Sequence, residues 1–105
     1  MRGTHAADIL AEVHLLPTEN GGRQNPTPAD KFGCPVGIGS EFFDMRIDLS
    51  GIGSLSPGQT ARVPITFLRP DFVLPLLRVG SEFTLWEGRT IGHGRVIELY
   101  GHTAG

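Results

Sequence analysis

A chain of 105 residues with 39% apolar side chains, 15 Gly and 8 Pro has material for one core and many turns, and is too apolar for a disordered chain. Nine basic against eleven acidic residues leave a net charge of −2, which argues against a generic cationic DNA or membrane-surface binder. A single cysteine forms no internal disulfide, no apolar run approaches the roughly 18 residues of a membrane span, and no basic-then-apolar signal pattern opens the chain.

One soluble, cytoplasmic domain is therefore expected over 1–105, with a barrel over about 8–99 and flexible ends at 1–7 and 101–105. From Ile9 to Leu16 the apolar residues Ile9, Ala11, Val13 and Leu15 alternate with their neighbours, which predicts a strand. Pro17 to Gly37 holds four prolines and four glycines and reads as a long surface loop, a candidate working surface. Phe43, Met45, Ile47 and Leu49 alternate with Phe42, Asp44, Arg46 and Asp48 in the clearest half-buried strand. After a turn-rich stretch to Gly58, Ala61, Val63, Ile65 and Phe67 repeat the pattern, with Pro64 implying an edge or bulge. The apolar run Phe72 to Leu77 is bracketed by Pro70 and Pro75 and reads as a crossover or short strand. Glu82 to Trp86 and Arg89 to Leu99 flank Glu87 and Gly88 as a hairpin, and Gly92 and Gly94 predict a bulge or barrel corner in its second arm. Five or six short strands without a helical stripe predict an all-β barrel or sandwich, with Phe83 and Leu85 joining the alternating residues inside.

Ala11-Glu12-Val13 through Gly21-Gly22-Arg23, then Glu41 through Gly51, then Pro57-Gly58-Gln59-Thr60, then Glu87-Gly88-Arg89-Thr90-Ile91-Gly92-His93-Gly94-Arg95-Val96 follow one another in order. Together they resemble the C-terminal β-barrel, domain III, of translation elongation factor Tu, over about residues 8–99. The family reads AEV with GGR, QFYxRTxDVTG, MPGD and REGGRTVGAGVV at these places. The resemblance implies a six-stranded antiparallel β-barrel without catalysis, which in the full-length factor meets the tRNA T-arm and the exchange factor. This chain departs from the pattern in three ways: Met45 stands at the family's Arg, with Arg46 one position on; the Glu87-Gly88-Arg89 turn is one residue shorter; and the loop between Gly51 and Pro57 is shortened.

No G-x-x-x-x-G-K-[ST] loop is present, so neither nucleotide binding nor hydrolysis is expected, and Gly88, Gly92 and Gly94 enter a strand instead of opening a helix. His5, His14, His93 and His102 show no metal-ligand spacing, and Cys34 has no cysteine nearby. No metal, cofactor or catalytic residue is expected, and Cys34 reads as an inert thiol. Eight Arg against one Lys favour planar, bidentate contacts. Arg23 and Arg89, at family loop positions, are the leading partner-binding candidates, with Gly88, Trp86 and Arg46 beside them. As rim residues the two arginines are expected to be dispensable for folding. The charge favours a protein partner linked to the translation apparatus. A single-module tRNA or other RNA binder, or a decoy or immunity-type protein capturing a toxin aimed at the elongation factor, are the alternatives.

Overall fold

The computed structural model describes residues 7–100, so most of both expected flexible ends lies outside the described residues. Six strands, β1 (Ile9–Leu15), β2 (Lys31–Ile38), β3 (Glu41–Asp48), β4 (Thr60–Phe67), β5 (Glu82–Trp86) and β6 (Thr90–Leu99), close into an antiparallel barrel in the order β1-β4-β3-β2-β5-β6. A 3-10 turn spans Thr18–Asn20. A single helical turn, α1 (Pro70–Val73), runs into a second 3-10 turn at Leu74–Leu76. The all-β, six-stranded antiparallel barrel expected from the sequence is the observed architecture.

Alternation builds the interior. Ala11, Val13 and Leu15 of β1, Met45 and Ile47 of β3, Val63, Ile65 and Phe67 of β4, and Phe83 and Leu85 of β5 are all buried, with Leu49 just beyond β3. Phe43 departs from the expectation: it is only half-buried and packs against the core from one end. Val73 and Leu77 turn inward from the short helical segment, so the run from Phe72 to Leu77 plugs the barrel instead of adding a strand.

The expected loop from Pro17 to Gly37 is corrected by β2. Its inward residues Phe32, Cys34 and Val36 are buried, but its outward positions Gly33, Pro35 and Gly37 are the residues that sequence reading takes for turns. Proline survives here because the β2–β5 ladder holds only Val36↔Leu85 and Gly37↔Thr84, so Pro35 lies beyond its end. Pro64 obeys the same rule, lying beyond the β3–β4 pairs Met45↔Phe67 to Ile47↔Ile65. In β6 the register shifts opposite Leu85/Trp86 and opposite Leu10/Ala11, leaving Ile91 and Ile97 as the extra residues. Gly92 adjoins the first bulge, while Gly94 makes room for the Phe83 ring, which a Cβ at that position would meet at 2.5 Å.

Because neighbouring strands alternate in direction, the connections 16–30, 49–59 and 87–89 share one end of the barrel, and 39–40 and 68–81 share the other. Every candidate loop residue named from sequence lies at the first end.

Candidate partner-binding faces

At that first end the loop after β1 is a built structure. Thr27 accepts the Leu55 N–H on its hydroxyl at 2.9 Å and donates its own N–H to the Leu55 carbonyl at 2.9 Å, tying two connections together. Gly22 is packed so closely that a Cβ would fall 1.9 Å from the Leu16 carbonyl oxygen, a position only glycine can fill. That close approach presents Arg23 toward the β5–β6 hairpin.

Arg23 Nη1 donates to both carboxylate oxygens of Glu87 at 2.8 Å, its Nε donates to the Asn25 carbonyl at 3.1 Å, and its guanidinium stacks 4.9 Å from the Phe32 ring centroid. Arg89 answers from the hairpin: its Nε donates to the Gly21 carbonyl at 2.8 Å and its Nη2 to the Gly22 carbonyl at 3.2 Å. Gly88, at φ +74°, turns the chain between the two charged residues in a conformation that favours glycine. Gly-Gly-Arg and Glu-Gly-Arg, met as separate motifs in the sequence, are thus two halves of one reciprocal clasp. The two arginines are expected as rim residues with little part in folding, yet both donate within the fold, to Glu87 and to the Gly21 and Gly22 carbonyls.

Trp86 and Arg46 stand elsewhere. Trp86 faces outward at the end of β5 and packs on Phe42, ring centroids 5.3 Å apart and tilted by 48°. The floor beneath is Gly37, where a Cβ would meet the Thr84 hydroxyl at 2.5 Å and the Phe42 ring at 3.3 Å. Phe42, Phe43, Asp44, Leu68, Arg69 and Phe72 line a groove beside the stack, and Arg69 caps the Phe72 ring at 4.1 Å. Phe42, Phe72, Leu68 and Trp86 are 56%, 55%, 52% and 37% exposed, an unusual concentration of large apolar side chains on so small a barrel. Of these four, the sequence points to Trp86. Phe42 could have been found as the aromatic residue on the polar side of an alternating strand, but Phe72 needed the helical turn to place it.

Arg46 projects from β3 into a shallow, mixed-charge depression with Lys31, Asp30 and Asp48, away from the clasp. Asp48 accepts from the Ser50 hydroxyl at 2.7 Å and the Ser50 N–H at 2.9 Å, which holds its carboxyl below the usual aspartate range. Cys34 is an interior thiol: burial pushes it up to about 12, and a hydrogen bond from the Trp86 backbone offsets only part of that effect.

The outer wall across β4, β1, β6 and β5 carries two polar rows. One runs Arg62, Glu12, Arg95, Glu82, with Arg95–Glu12 at 3.4 Å and Arg62–Glu12 at 3.9 Å. The other runs Thr60, His14, His93, Thr84, the two imidazoles directly opposite one another on β1 and β6. Among the described residues no group of three or more His, Cys, Asp or Glu side chains is placed to surround a metal ion, and no helix is long and apolar enough to cross a membrane. A scan of the chain against protein-family models gives no match, and a search of the curated proteins gives none.

Proposed function

We propose that this barrel is a non-catalytic, protein-binding module of the elongation factor Tu domain III type, acting in the cytoplasm on a protein linked to the translation apparatus. The observation that carries the protein-binding reading is the exposed Trp86–Phe42 stack with its adjoining Phe43/Leu68/Phe72 groove, since buried aromatic anchors dominate protein interfaces. The family reading draws its support from the clasp. Two of the quoted motifs, far apart in sequence, are bonded to each other in space, as parts of one pattern would be.

RNA binding is the weaker reading. Arg23 and Arg89, the arginines best placed to hold phosphates, already donate to Glu87 and to backbone carbonyls, and Arg46 sits among carboxylates. A decoy or immunity-type role would use the same aromatic face and differ only in the protein captured.

The test is to immobilise the protein, identify by mass spectrometry what it retains from native lysate, and titrate the purified partner against Phe42→Ala and Trp86→Ala. Each substitution should weaken binding by about 1–2 kcal/mol, with shallow salt dependence. Binding of tRNA with a steep log–log salt slope and no effect of Trp86→Ala would overturn the reading.

A further inference from the structure

We propose that His14 and His93 form a surface zinc site that clips β1 to β6. The two residues are a directly opposed antiparallel pair, and their ring centroids lie 5.3 Å apart with planes inclined by 42°. With Zn–N bonds of about 2.05 Å and each centroid about 1.15 Å behind its ligating nitrogen, a tetrahedral angle places two imidazole centroids about 5.2 Å apart. A square-planar, cis arrangement of the kind copper(II) favours would need about 4.5 Å. The observed spacing matches the tetrahedral arrangement, and zinc is the common ion of that geometry with imidazole ligands.

Thr60 orients one ligand. Its hydroxyl oxygen lies 2.8 Å from His14 Nδ1, on the β4 side and away from His93, leaving Nε2 as the nitrogen for the metal. This is the outer-shell contact that commonly fixes the ring of a metal-bound histidine. The neighbouring row of Arg62, Glu12, Arg95 and Glu82 carries two charges of each sign, so the site gains neither strong attraction nor strong repulsion from it. Two protein ligands leave two positions of the tetrahedron to water, which makes the site open and of modest affinity. His14 and His93 lie far apart in sequence, so no linear ligand spacing announces the pair.

The experiment is titration of the full chain with zinc chloride in a non-coordinating buffer near neutral pH, read by calorimetry, by imidazole nitrogen chemical shifts and by melting temperature. Saturable one-to-one binding is expected, with both His14 and His93 resonances shifted and a rise in melting temperature that a chelator reverses. His14→Gln and His93→Gln should each weaken binding by about tenfold or more, and Thr60→Val by about tenfold. The paired variant His5→Gln/His102→Gln should keep the response. Absence of binding in the parent overturns the proposal. So does a response that survives loss of His14 and His93 but disappears with His5 and His102.

Discussion

Replacing Arg23 with alanine tests whether the clasp is a structural element. The side chain gives up two 2.8 Å contacts to Glu87, a 3.1 Å bond to the Asn25 carbonyl and its stack on Phe32. The Arg23 side chain is 19% exposed and Glu87 37%, so the ion pair is discounted for solvent to about 1 kcal/mol. The charge-assisted bond to the backbone adds about 1 kcal/mol and the cation–π contact about 0.5. Arg23→Ala should therefore cost about 2–3 kcal/mol. In a domain of this size that is a fall of roughly 10–20 °C in melting temperature. Urea unfolding followed by fluorescence of the single tryptophan, Trp86, measures it directly. Glu87→Gln should cost about 1 kcal/mol, and the double variant should cost less than the sum of the singles by about 1 kcal/mol, since both changes remove the same pair. A loss below about 0.5 kcal/mol for Arg23→Ala, with additive behaviour of the pair, would refute the structural role and return Arg23 to the set of free surface donors.

Further outcomes follow from burial, close packing and ionisation. Ile47 is fully buried between Phe32 and Ile65 on the neighbouring strands, so Ile47→Ala should cost about 2–4 kcal/mol in the same unfolding assay. Asp44→Ala, on the outer face of the same strand, should stay within about 0.5 kcal/mol, and equal costs would mean the register is wrong. Gly22→Ala must push a Cβ into the Leu16 carbonyl, and a loss of at least about 2 kcal/mol, with Arg23 displaced from Glu87 in amide and side-chain NMR, is expected. The Cys34 thiol, raised to about 12 from an ordinary 9.0, is essentially neutral in both folded and unfolded chains below about pH 8. Above that, the unfolded chain ionises first and binds fewer protons, so stability falls as pH rises from 9 toward 12. Cys34→Ala should flatten that alkaline limb of the urea midpoint. At pH 8, a thiol reagent should label native Cys34 far more slowly than the unfolded chain.

The alternating runs of β1, β3, β4 and β5 were legible in the sequence because a two-residue period with one buried face writes itself directly into the order of apolar side chains. The β5–β6 hairpin was legible for the same reason, together with Gly88 at its turn. β2 was not, because its inward residues alternate with Gly33, Pro35 and Gly37, whose turn propensity is overridden only when β3 pairs along the whole strand. Arg23 and Arg89 were legible as special residues, but their targets were not. An arginine in a loop has the same local sequence whether it faces a partner or a carboxylate brought beside it by barrel closure. Trp86 was visible, yet its contact with Phe42 depends on β5 and β3 flanking a glycine-floored β2. The facing of His14 and His93 likewise follows from β1 joining β6 to close the barrel. Local periodicity thus determined which residues lie inside, while long-range pairing decided which outward side chains meet, because register between distant strands is set by the closed ladder and not by any neighbouring residue.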